Sequence, residues 1–132
     1  MIIDKIKSKG EELKFLEGHD RLQYLMDQSR DTDLLDDVHK TDENKIRGCV
    51  SNLWVVGKVK PDNTMSYNHD ADSHMTKGTA KVILDMVNNE PREEVSKLNL
   101  DSFKKLGIKE LFTMQRQMGF ASLIERVIQI AK

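Results

Sequence analysis

The chain has 132 residues, of which 38% are hydrophobic and 33% charged, and its formal net charge at pH 7 is −1. A chain of this length can bury a core of its own, so we expect one domain spanning residues 1–132. The near-neutral charge supplies no overall field that would attract nucleic acid or an anionic membrane, and we expect neither partner. No run reaches the roughly 18 apolar residues that a membrane span requires.

The only cysteine is Cys49. One thiol cannot form an internal disulfide, and it cannot by itself supply the several soft ligands of a structural zinc site. The first seven residues also lack the continuous apolar core of a secretory signal. A lone thiol agrees with a reducing compartment, so we expect a cytoplasmic protein.

Apolar residues at spacings of three and four predict that the first 30 residues are helical. Gly10 and Gly18 predict breaks, which favours two short helices over one long helix, with Asp20 as the N-cap of the second. The acidic stretch over 31–44 is typical of a solvated connection, which Leu34, Leu35 and Val38 are expected to pin to the body.

A β-hairpin is predicted over about 50–69. Its first half is rich in β-branched and aromatic residues, its second half alternates apolar with polar residues, and the turn signal 60–64 lies between them. The capping residues of 70–73 predict the start of a helix that runs to about Asn88. Gly78 within that helix indicates close packing against a neighbour.

Pro91 predicts the start of a short helix that ends near Lys97. A further helical piece over 102–106 is expected to end at Gly107, and an amphipathic helix runs from about Gln117 to Lys132. Helices, then one hairpin, then helices predict an α+β fold. In it, a small antiparallel sheet packs against N- and C-terminal helices.

Cys49 is the first candidate for chemistry. The thiolate is the reactive form, and nearby positive charge such as that of Arg47 favours it. Gly48 permits backbone conformations that other residues avoid, which suits a cysteine on a loop. Two alternatives stay open: an interaction module in which Cys49 is a buried structural residue, and a Cys–His hydrolase.

The other candidates are weaker. His69, Asp70, Asp72 and His74 lie close together in the sequence, but their spacing matches no recognised ligand pattern. We therefore expect helix capping and surface exposure rather than a metal site. Arg116, just before the C-terminal helix, could face a thiolate or could be an ordinary surface residue.

Several segments together resemble the SufE family and its CsdE paralogues. The segment from Asn44 to Val55, with Gly48, Cys49 and Ser51, is similar to that family's cysteine segment. Further similarity extends in the right order over about residues 12–132. It includes the segments Asp20–Leu25, Asp70–Asp72 with Lys77 and Gly78, Phe103–Leu111, and Arg116 with Gly119.

The resemblance implies a SufE-like fold and a sulfur carrier. Cys49 would accept persulfide sulfur from a PLP-dependent cysteine desulfurase of the SufS or CsdA type and stimulate that enzyme. Arg116 would support the cysteine loop, to which Gly48 and Ser51 belong. The sulfur would pass to an Fe–S scaffold of the SufBCD type. The PLP belongs to the partner, so no cofactor and no metal are expected on this chain.

Overall fold

The structure of the protein is a computed structural model. The structure describes residues 2–16, 18–31, 35–47, 52–107 and 114–132, and it describes the side chains of these residues except for 18, 19, 31 and 114–118. The helices are α1 (Ile2–Lys14), α2 (Gly18–Gln28), α3 (His74–Val87), α4 (Arg92–Ser96) and α5 (Met114–Ile130). The strands are β1 (Leu53–Val59) and β2 (Met65–Ala71), and short 3-10 helices span Ser29–Asp31, Asp37–His39 and Leu100–Leu106.

Two N-terminal helices form as predicted, with a break before Gly18. The predicted break at Gly10 is wrong, because α1 continues through it; a Cβ there would collide with the backbone carbonyl of Lys105. Asp20 is not the N-cap of α2, since the helix begins two residues earlier. Phe15, one of the apolar residues of this region, lies just after α1 and is 90% exposed.

The two strands form the predicted antiparallel hairpin, with Leu53 opposite Ala71 and Val59 opposite Met65. The turn between them is closed by a 2.8 Å hydrogen bond from the Lys60 N–H to the Thr64 carbonyl. Asn63 adopts a positive φ of 65° in this turn. The α+β fold class is therefore confirmed, with the paired strands lying a few residues later than predicted.

Helix α3 begins as the capping residues predicted, with Ser73 as the N-cap; its side chain accepts from the Thr76 N–H. Gly78 is required by close packing, because a Cβ there would collide with the Leu25 carbonyl of α2. Pro91 precedes α4, and Gly107, with a φ of 69°, ends the last 3-10 helix. Helix α5 begins at Met114, three residues earlier than predicted.

One core joins these elements. Helix α2 packs on α3, α3 packs on β2, α5 packs on β1, and α1 packs on the 3-10 helix Leu100–Leu106. Branched aliphatic side chains dominate this core. The completely or almost completely buried ones include Ile6, Leu25, Ile46, Leu53, Ile83, Leu123 and Ile124. Among the helices in the described ranges, none has the length and apolarity needed to cross a membrane.

Candidate functional site around the cysteine segment

Cys49, Gly48 and Ser51 lie outside the described residues, so the site is defined by the chain on either side of them. The N–H of Ile46 donates to the carbonyl of Leu53 at 2.8 Å, and the N–H of Val55 donates to the carbonyl of Asn44 at 2.9 Å. We call these paired segments the stem. Its incoming arm, 44–46, precedes Cys49, and its outgoing arm, 53–55, follows it. Cys49 therefore belongs to a segment of chain whose two ends are hydrogen-bonded to each other.

The stem is fixed by burial as well as by backbone hydrogen bonds. Ile46 and Leu53 are each only 2% exposed, and both belong to the central core. The incoming arm is ordered by the Asn44 side chain, whose amide donates to the His39 carbonyl at 2.8 Å. Burying one apolar side chain on each arm strongly specifies the register, because a one-residue slip of either arm would turn its apolar side chain out of the core.

An ionic cluster around a buried carboxylate lies beside the stem. Asp70, opposite Trp54 on the neighbouring strand, has a side chain only 9% exposed. Its carboxylate accepts from Lys40 at 3.0 Å and from Lys77 at 3.2 Å. It also accepts from the Ala71 N–H at 2.8 Å. Burial alone would raise the pKa of Asp70, but these three donors outweigh burial and hold the pKa below its usual value.

Lys40 also lies over the indole of Trp54, with its Nζ 5.7 Å from the ring centroid. This distance is within the range of a cation–π interaction. The pKa of Lys40 is raised, mainly by its hydrogen bonds to Asp70 and Asp37. The prediction that Asp70 caps α3 is wrong: it lies in β2 and pairs with two lysines, and Ser73 is the cap.

The outgoing side of the cysteine segment has a second polar contact. The side-chain amide of Asn52 donates to Asp72 at 2.7 Å, and the N–H of Asp72 donates to the Asn52 carbonyl at 3.1 Å. These reciprocal bonds tie the chain after Cys49 to the residues that lead into α3. Arg47, on the incoming side, is exposed.

Arg116 lies in the first turn of α5, but its side chain is outside the described set. The described part of α5 packs on the hairpin: the Tyr67 hydroxyl donates to the Val127 carbonyl at 2.7 Å. Arg126 then donates to the Glu43 carbonyl at 2.9 Å. The helix is thus bonded to the chain immediately before the stem, while the contacts of Arg116 itself stay a prediction.

His69 and His74 contact different parts of the structure. His69 is 4% exposed, and its Nε2 lies 2.9 Å from the Lys77 carbonyl. Burial lowers the pKa of His69. His74 instead lies 3.2 Å from the Ser29 hydroxyl through its Nδ1. The expected surface exposure of His69 is therefore wrong, and the described residues contain no group of side chains that could hold a metal ion.

Comparison with known proteins extends this description. Residues 7–131 match the family model described as "SufE: Fe-S metabolism associated domain". An uncharacterized SufE-like protein of Rhizobium etli is 31% identical over 117 residues, which cover 86% of this chain and 79% of the relative. SufE-like protein 1, chloroplastic/mitochondrial, of Arabidopsis thaliana is 29% identical over 105 residues, or 80% of this chain and 28% of that protein.

A solved structure supports the fold independently. The solution structure of a hypothetical protein from Thermus thermophilus superposes with a TM-score of 0.79 at 18% identity, covering 96% of this chain and 93% of the other. The class defined by fold and site is a small α+β protein with a single-cysteine segment between the arms of a bonded stem. Together with the family match, this makes the chain a member of the SufE family, with a role in Fe–S metabolism.

Sequence reasoning missed the cluster of Lys40, Asp70 and Lys77. Two of its members did lie in a stretch that carried the family resemblance, the segment from Asp70 to Lys77. Lys40 gave no such signal, because it lies in an acidic stretch that the sequence presents as an ordinary solvated connection. Only the folded arrangement brings its ammonium to Asp70.

Proposed function

We propose that this protein is a sulfur acceptor and carrier. Cys49 takes persulfide sulfur from a PLP-dependent cysteine desulfurase of the SufS or CsdA type, and in doing so stimulates that enzyme. The protein then passes the sulfur to an Fe–S assembly scaffold of the SufBCD type. It acts in the cytoplasm as an accessory to the desulfurase, and the PLP that releases sulfur from free cysteine belongs to the partner.

The transfer needs only one thiolate on this chain. The Cys49 thiolate attacks the terminal sulfur of the partner's persulfide, so a new S–S bond forms on Cys49. The old S–S bond breaks, and its electron pair leaves with the partner's cysteine as a thiolate. Any proton that the new persulfide takes up comes from solvent. No external oxidant or reductant is consumed, and an acceptor thiol on the scaffold can repeat the same exchange.

One observation carries the proposal: in a chain whose residues 7–131 match the SufE family model, the only thiol lies in the segment between the two arms of the stem. Bonds on both sides support this reading, since Ile46 bonds Leu53 and Asn52 bonds Asp72. A carrier must offer its cysteine to an active site on another protein. A short segment held at its base is suited to that task, and Gly48 adds backbone freedom beside the thiol.

A cation beside the segment suits a thiolate mechanism. The two positive charges of Lys40 and Lys77 are balanced by the carboxylates of Asp70 and Asp37, so this cluster adds no net charge. Arg47 adds an exposed cation on the incoming side. Arg116 is proposed to support the cysteine segment from the first turn of α5, with Ser51 as part of the loop.

Desulfurase stimulation tests the proposal. Sulfide release from free cysteine by a PLP-dependent desulfurase is measured with a thiol reductant present, with and without this protein. We expect wild type to raise the rate and Cys49→Ser to leave it at the level of the enzyme alone. Ser66→Ala, at the far end of the hairpin opposite Lys58, is the matched control and should stimulate like wild type. Equal stimulation by Cys49→Ser would refute the relay.

A further inference from the structure

The chain that leads into the stem is poorly anchored by apolar side chains. Leu35 and Ile46 are buried at its two ends. Between them, Val38 was expected to pin this stretch to the body, and that prediction is wrong because Val38 is 73% exposed. The bonds from His39 to Asp36 and from Lys40 to Asp37 are internal to the segment. Polar contacts must therefore hold this stretch on the body, and one of them is the 2.9 Å bond from Arg126 of α5 to the Glu43 carbonyl.

Lys40 provides a second polar contact through its side chain. Its Nζ lies 3.0 Å from Asp70 on β2, and it stands 5.7 Å from the ring centroid of Trp54 on β1. Trp54 is opposite Asp70 on one side and forms a bridge with Lys45 on the other. The Lys40 ammonium therefore contacts the sheet beside Trp54, the residue that bridges to Lys45 on the incoming arm of the stem.

We infer that Lys40 is a positioning residue for sulfur acceptance: by binding Asp70 across Trp54, it holds the incoming arm of the stem on β1 and so sets where the Cys49 segment begins. The inference rests on the proposed function for its meaning, because it concerns the position of the accepting thiol. Lys40 acts through the stem and not on the sulfur.

The cluster allows this role to be separated from a role in folding. When Lys40 is replaced, Asp70 keeps Lys77 at 3.2 Å and the Ala71 N–H at 2.8 Å. The buried carboxylate is then still paired, so the variant avoids the large destabilisation that follows an uncompensated buried charge. Lys40→Met keeps an unbranched side chain of nearly the same length and removes the ammonium, with its charge and its hydrogen-bond donors.

The experiment compares wild type, Lys40→Met and Lys40→Arg, with Lys81→Met as the matched control. Lys81 forms an ion pair of similar length, 2.8 Å, with Asp85 on α3. The readouts are hydrogen exchange of the Ile46 and Val55 amides and the alkylation rate of Cys49. Alkylation is measured above the ordinary thiol pKa of about 8.5, so that the loss of a nearby cation does not act through thiol ionisation.

We expect Lys40→Met to raise both rates about two- to fivefold, the scale of a partly exposed ion pair combined with a cation–π contact. Lys40→Arg should restore wild-type rates, because a guanidinium also pairs with a carboxylate and stacks on an aromatic ring. Lys81→Met should change neither rate.

Unchanged rates in Lys40→Met, an equal change in Lys81→Met, or failure of Lys40→Arg to restore the rates would each overturn the inference. Neither readout involves a desulfurase. The two proposals therefore fail separately: Cys49 can accept sulfur while Lys40 proves irrelevant, and Lys40 can control the stem while Cys49 accepts no sulfur.

Discussion

The backbone N–H of Ile46 donates to the carbonyl of Leu53 at 2.8 Å, and these two residues are the buried ends of the segment that contains Cys49. Six residues, 47–52, lie between them. The chain on either side of the cysteine segment is thus held together by two residues of the hydrophobic core. Loosening this contact should change both stability and thiol reactivity.

Truncation of Ile46 tests that relationship. Ile46→Ala removes a fully buried side chain and should lower the free energy of unfolding by about 2–4 kcal/mol. Alkylation of Cys49 in the native state should become faster, because the incoming arm loses its apolar anchor. Denaturant unfolding and thiol-labelling kinetics measure the two effects. Val38→Ala, at an exposed position in the same region, should change stability by less than about 0.5 kcal/mol.

The contact between α2 and α3 gives a second prediction. Gly78 packs so closely on the Leu25 carbonyl that an added Cβ has no space. Gly78→Ala should destabilise the protein by about 2–3 kcal/mol, although alanine is the better helix former, because the helices must separate. Thermal unfolding measures this. A Gly78→Ala variant as stable as wild type would show that the two helices are not packed in this way.

Tyr67 joins the hairpin to α5. Its buried hydroxyl donates to the Val127 carbonyl at 2.7 Å, and burial raises its pKa. Tyr67→Phe keeps the ring and removes the bond, so we expect a loss of about 1 kcal/mol in the free energy of unfolding. Spectroscopic titration, compared with Tyr67→Phe, should also show that Tyr67 ionises above the ordinary range of a tyrosine. Ionisation of Tyr67 within that range would contradict its buried position.

Buried His69 predicts a pH dependence of stability. Its folded-state pKa is lowered from 6.5 by burial, so the unfolded chain binds its proton first as the pH falls. The contribution of neutral His69 is fully present above pH 6.5 and declines as the pH falls below this value. His69→Gln, which can still donate to the Lys77 carbonyl, should flatten this decline in urea unfolding measured from pH 7.5 to 5. An unchanged slope would rule out His69 as its source.

Local sequence patterns predicted the elements whose signals are local. The hairpin follows from residue alternation and a turn that needs few long-range contacts. Ser73 marks a helix start through its side-chain cap, and Gly107 marks a helix end because glycine accepts a positive φ. The close approach at Gly78 was also predictable, because a glycine inside a helix needs a reason. Gly10 is likewise explained by close packing, here against the Lys105 carbonyl. A glycine can also mark a helix break, however, and that is the interpretation the sequence favoured.

Tertiary relationships account for what the sequence did not reveal. Asp70 was expected to be a cap because aspartate favours that position. In β2 its carboxylate is instead buried against Lys77 on the following helix and against Lys40, which comes from a distant part of the chain. His69 is buried because it follows the inward pattern of β2. The roles of Cys49 and Arg116 came from family resemblance rather than from spacing, and they stay predictions.

The most direct test of the sulfur-acceptor account is the intact mass of this protein after incubation with a PLP-dependent cysteine desulfurase and limiting cysteine, without reductant. We expect wild type to gain one sulfur atom, which dithiothreitol removes. Cys49→Ser, which has no thiol, should gain none. Reductant-labile sulfur on both proteins, or on neither under conditions in which the desulfurase itself carries persulfide, would contradict the account.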